Sequence, residues 1–349
     1  MYQENLVISN KQELILLGAG RDQVTLDGSA GVTDQKPAIL IEKSQKITVQ
    51  GLQIVKSRRG VQADDTTGLV LADNSFKDNL RQGVFLQRAE ATLTGNLIQK
   101  TQPDQDGAHG QGVNLVDSKV VIKENTISEN ARLGIWAQGS STVTIQKNTL
   151  SDNGGSGSAS ESVAAIYLLT TTTGSPTATI EENTLNNNRD HGILLAGSAE
   201  ATIANNGIMK TKPNVAGQPG HGIALVEKAR ATIRTNEINE NARDGVDLFN
   251  EAQATLQKNT INSNANNAVV ALDSSRLTME ENTITKNKGT GILTFGRTPR
   301  IRIIENTVTD NTRWGIWAEF AESVAECRGN TVTGNAGGNL SNTVQSKCS

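Results

Sequence analysis

The chain has 349 residues but only three histidines. His109, His191 and His221 each stand just ahead of a Gly-Ile or Gly-Val segment. His191 and His221 hold the same position in consecutive copies of a repeat, and Asp244 holds it in the next copy. Asp190 and Asp247 lie close by in sequence. Two imidazoles and a carboxylate in one row could ligate a divalent cation, or supply a base with its orienting acid. No other cofactor is called for. The plainer account is turn chemistry, since Asp and His tolerate bends and Asp-x-Gly and His-Gly are ordinary turn sequences.

A second group of residues could bind rather than react. Phe85, Asn114, Trp136 and Tyr167 fall at the outward position of successive strands, and Leu194, Ala224 and Asp247 continue the series. Exposed aromatic side chains on a groove floor suit sugar rings, although the same rings could pack beneath loops. Arg132, Arg189 and Arg243, with Arg81 and Arg313, recur at the preceding bend, where they could steer an acidic polymer or simply form a solvated edge. The strand face itself is expected to be almost free of basic residues.

These residues are positioned by a repeat. Asn74, Asn96, Asn125, Asn148, Asn183, Asn206, Asn236, Asn259, Asn282, Asn306 and Asn330 define a period near 23 residues, lengthened in three places. In nine of these eleven copies a second Asn follows five residues later, and Thr101 and Thr211 replace it in the other two, where the second column is expected to give way. Each copy holds three short alternating segments, of the types Gly-Ile-x-Leu, Ala-Thr-Ile and Asn-Thr-Ile. Alternation turns Ile and Leu inward and the residue between them outward. Frequent Asn and Gly would break a helix. Asn at a bend can bond the backbone of its own turn, and stacked copies about 4.8 Å apart would chain their amides into a ladder.

The repeat predicts an all-β, three-sheet solenoid of about a dozen coils in a single domain, residues 1–349. Residues 1–37 form a partial first coil, 38–335 the regular coils and 336–349 a tail. Insertions near 102–110, 154–163, 170–176 and 212–220 interrupt it. Three fall in the same bend, and are expected to wall a trough across the coils of residues 112–247, floored by Trp136, Tyr167 and Leu194. With ten aromatic residues in all, the core must be built from small and β-branched side chains.

The pattern resembles the right-handed parallel β-helix repeat family, the superfamily of pectate lyases, polygalacturonases, alginate epimerases and NosD-type periplasmic proteins. The opening Leu6-Val7-Ile8, Leu17-Gly18-Ala19-Gly20 and Leu26-Asp27-Gly28 resemble the first coil of pectin-methylesterase-like helices. The resemblance implies export to the periplasm, cell surface or medium, and recognition of an extended polysaccharide, with lyase, hydrolase or epimerase chemistry open. It equally admits a non-catalytic scaffold or a NosD-like accessory protein. Gly220-His221-Gly222 is similar to the Gly-His-Gly of polygalacturonases, but their paired Asp and Arg-Ile-Lys motifs are missing at the matching positions. Residues 103–109 do not match the Asp-Pro-His-Asp motif of mannuronate epimerases.

A net charge of −3 without a Lys/Arg block lacks the footprint of a nucleic-acid binder. No apolar run nears the length of a membrane span. The start reads as cut from a longer precursor. Cys327 and Cys348, 21 residues apart, are expected to pair and clip the tail to the last coil, which would fit an oxidising compartment. Oligomeric state is not legible.

Overall fold

The computed structural model describes residues 1–349 except 105–106, 108, 156–161, 214–216, 218–219, 297–299 and 349. Much of the expected loop walls therefore lies outside the described residues. The chain divides into two compact units, one of residues 1–179 and one of residues 180–213 with 217–349.

Each unit is built from the same three strands per coil. In the first, Gln82–Gln87, Gln111–Val116, Leu133–Gln138 and Ala164–Leu169 pair in parallel as part of one sheet. Glu90–Thr94, Lys119–Lys123 and Thr142–Gln146 belong to a second, and Leu97–Gln99, Thr126–Ser128 and Thr149–Ser151 to a third. In the second unit the corresponding strands are His191–Ala196, His221–Leu225 and Val246–Leu248; Glu200–Ala204, Arg230–Arg234 and Gln253–Gln257; and Thr184–Asn186, Gly207–Met209, Glu237–Asn239 and Thr260–Asn262. Every named strand pair is parallel, and no α-helix occurs among the described residues. Among the described residues no helix is long and apolar enough to cross a membrane.

Alternation explains the core. In the Ala-Thr-Ile strands Ala231, Ile233, Ala254 and Leu256 are buried, while the Thr between them faces out. Ile238, Ile261 and Ile284 stack in register, each fully buried. Removing one such side chain to Ala costs roughly 2–5 kcal/mol in a close-packed core.

Both Asn columns form ladders. Asn259 shows the unit of construction. Its Nδ2 donates to Ile233 O at 2.8 Å and to Asn282 Oδ1 at 2.9 Å, and its own Oδ1 accepts from Asn236 Nδ2 and N at 3.0 and 2.9 Å. The second column runs Asn241, Asn264, Asn287, Asn311 and Asn335 in the same way. At Thr101 and Thr211 the side-chain chain does give way, and only the backbone N–H reaches the next Asn oxygen. The residue just before a ladder Asn is left-handed: Lys147, Glu182, Lys258, Glu281 and Glu305 have φ between 54° and 57°.

Cys327 and Cys348 are joined by a disulfide. It ties the tail, which buries Val344, to the strand Val324–Arg328.

Candidate functional site

Two groups of side chains stand out, one in each unit. In the first unit, Trp136 and Tyr167 are register partners on adjacent strands. Their rings are nearly parallel, 8° apart, with centroids 6.3 Å apart. Both are half-buried. The indole N–H of Trp136 is covered and has no hydrogen-bond partner among the described residues.

Several neighbours differ from expectation. Asn114, expected on the open floor, is 4% exposed and accepts a hydrogen bond from Gln138 Nε2 at 3.0 Å. Phe85 is capped, because the Arg59 guanidinium lies over its ring at 4.3 Å. Arg59 also corrects the expectation of a face almost free of basic residues. It donates to Gln82 Oε1 at 2.8 Å and Gln62 Oε1 at 2.6 Å, and burial lowers its pKa to about 10. Gln82 in turn donates to Gln111 Oε1 at 3.2 Å. The recurring strand-start Arg59, Gln82 and Gln111 was the sequence signal for this polar row. Arg132, expected at a solvated rim, is buried. His109 has partners of its own, with its Nδ1 2.7 Å from Asp104 Oδ2 and its Nε2 beside the Arg81 guanidinium. Burial first, and Arg81 second, hold its pKa below the usual histidine value.

In the second unit His221 meets Asp244 of the expected row and also Asp247, while His191 stacks on His221 and faces Asp190 instead. His191 and His221 are register partners whose rings stack with centroids 5.6 Å apart at 17°. His191 Nδ1 lies 3.4 Å from the buried Asp190. Asp247 lies three residues after Asp244, past a bend at Gly245 and within the strand Val246–Leu248. A Cβ on Gly245 would lie 2.6 Å from Ile261 Cγ2 and 2.7 Å from Ala268 O. Asp247 pairs in register with Ala224, whose small side chain leaves it room. Both carboxylates then face His221, with Asp244 Oδ2 3.5 Å and Asp247 Oδ2 3.3 Å from its Nδ1. His221, Asp244 and Asp247 are 3%, 2% and 2% exposed.

Burial dominates the electrostatics here. It pushes His221 down to about 3, helped by His191 and Arg243. It raises Asp244, and it raises Asp247 well above the usual carboxylate range, with the neighbouring Asp244 charge adding to the effect. Arg243 reaches Asp244 Oδ2 at 3.3 Å from a half-exposed side chain, and Arg189 donates to Pro213 O at 3.2 Å. Leu194 and Ala224, expected outward on the same face, are both buried. Alternation gave their direction but not their burial, which no periodic signal announces.

Comparison with known proteins bears on the fold. A family model described as periplasmic copper-binding protein (NosD) matches residues 1–169, and one described as right-handed β-helix region matches residues 211–348. No curated protein matches the chain. Among solved structures, a double mutant of the periplasmic alginate epimerase AlgG superposes with a TM-score of 0.64 at 12% identity, covering 91% of this chain and 84% of that one. The A-module of the mannuronan C-5 epimerase AlgE4 from Azotobacter vinelandii gives 0.55 at 15% identity, covering 94% and 97%. At these identities the likeness is one of fold. With its coil period, three parallel sheets and the β-helix region model over residues 211–348, the chain has the right-handed parallel β-helix fold.

Proposed function

We propose that this is an exported protein that recognises an extended polysaccharide on the strand face carrying Trp136 and Tyr167. The observation that carries the reading is that pair: two half-exposed rings on consecutive rungs of one sheet, in a chain with few aromatic residues. Parallel rungs repeat along the sheet as sugars repeat along a polymer. On the same sheet Arg59, half-buried over Phe85, adds a cationic group. The solved structures of similar fold include alginate epimerases, and the NosD model points to the periplasm. Lyase, hydrolase or epimerase chemistry on the polymer would fall to the His-Asp groups around His221 or around His109.

Stacking on one ring is worth roughly 1 kcal/mol, so affinity should be modest and should grow with oligomer length. Titration with mannuronate, guluronate and neutral oligomers of increasing length tests this. Trp136→Ala should weaken binding about 5- to 10-fold without changing the circular dichroism spectrum. Equal affinity in Trp136→Ala, or no binding to any oligomer, would sink the reading. The NosD match over residues 1–169 favours a second reading in that event, a periplasmic accessory protein whose solenoid only presents surface. Product formation that is lost in His221→Ala would mark the protein as an enzyme.

A further inference from the structure

The second unit holds a constellation whose geometry does not depend on the glycan reading. We propose that His221, Asp244 and Asp247 bind a divalent transition-metal ion of the zinc class.

The distances fit an ion. The His221 Nδ1 atom is 3.5 Å from Asp244 Oδ2 and 3.3 Å from Asp247 Oδ2, and the three donor atoms all lie within 4.8 Å of one another. Two ligands each about 2.0–2.1 Å from a tetrahedral ion stand about 3.3–3.4 Å apart. The protein leaves part of this set unsatisfied. His221 Nδ1 and Asp247 Oδ1 are buried and make no aligned hydrogen bond. Buried polar atoms normally find partners, so an orphaned nitrogen aimed at two carboxylates needs an explanation.

The surroundings are those of a ligand set held in place. Asp244 Oδ1 accepts from Asn267 N at 2.9 Å and Asn267 Nδ2 at 3.0 Å, which fixes the carboxylate and leaves Oδ2 facing His221. The His221 ring is steadied by its stack on His191. Charge argues the same way. Two carboxylates are buried together, with a half-exposed Arg243 as their cationic neighbour. A divalent cation would neutralise both where burial otherwise makes them costly. One nitrogen and two oxygens suit Zn²⁺, Co²⁺ or Mn²⁺, whereas Cu⁺ prefers sulfur, which this set lacks. Three protein ligands would leave a fourth position open.

The competing account is a proton shared within the cluster, which predicts no metal affinity. The test uses the full chain after chelator treatment. Titration calorimetry should find one Zn²⁺ per chain, and Zn²⁺ should raise the melting temperature. Co²⁺ should give the intense visible bands of a four- or five-coordinate site. Asp247→Asn and His221→Gln should each lose at least tenfold in Zn²⁺ affinity while keeping the β circular dichroism spectrum, and Asn267→Ala should weaken binding less. Should a variant fail to fold, imidazole NMR of the wild type decides. With three histidines, Zn²⁺ should shift the His221 ring and leave His109 unmoved. Absence of saturable binding, unchanged affinity in a folded Asp247→Asn, a Co²⁺ spectrum like that of the hydrated ion, or an unmoved His221 ring would overturn the proposal.

Discussion

At the scale of single residues, the ladder Asn is the most legible feature of this chain. Its identity and spacing repeat, and one side chain meets four polar groups at once. Asn259→Ala strands the Ile233 carbonyl and the Asn236 amide in a buried bend. It should cost about 1–3 kcal/mol, read as a lowered urea midpoint. A neutral result would mean that the column is decoration. The histidine row was equally readable, because His191 and His221 share a repeat position. That Asp247 would turn to the same nitrogen as Asp244 was not readable. It depends on Gly245 and Ala224 together, and neither residue carries chemistry of its own. Asn114 and Leu194 were misplaced for a related reason. Alternation specifies which side of a strand a residue takes, but not whether that side is covered.

At the scale of the coil, sequence reading found the strands and the Asn bends but not the left-handed residue within each bend. Each ladder Asn follows a left-handed residue, yet that position is filled by Lys, Glu, Asp, Asn, Thr or Gly, so no residue type marks it. Gly95 and Gly329 adopt the conformation without a side chain, at φ 64° and 66°. Lys258, at φ 54°, pays a steric cost that β-branching would increase. Lys258→Val should therefore destabilise by roughly 1–2 kcal/mol. Lys258→Gly should be near neutral, since relief of the strain offsets the added freedom of the unfolded chain. Equal loss in both, measured by urea unfolding, would show that the Lys side chain itself matters rather than the turn.

At the scale of the whole molecule, the solenoid was predictable because every coil restates the same constraints, and local signals agree with the global fold. The tail lacks the repeat and is held instead by its disulfide. Thiol titration of the unreduced, denatured protein should find no free cysteine. Cys348→Ser should lower stability by about 2–4 kcal/mol, the usual effect of opening a loop of this size. Two titratable thiols in the unreduced protein would contradict the bond.

The ladder also has a direction. From Asn183 through Asn206, Asn236, Asn259, Asn282 and Asn306 to Asn330, each amide nitrogen donates to the oxygen of the next. Seven side-chain dipoles therefore point the same way, head to tail. Aligned dipoles polarise one another, by about 10–30% per bond in condensed phases, and those in the middle are reinforced from both sides. The column behaves less like separate fasteners than like a polarised wire, weakest at its ends. Two chemically identical cuts should then differ. Asn259→Ala should cost more than Asn330→Ala by more than burial alone accounts for, and the double variant should cost less than the sum of the two.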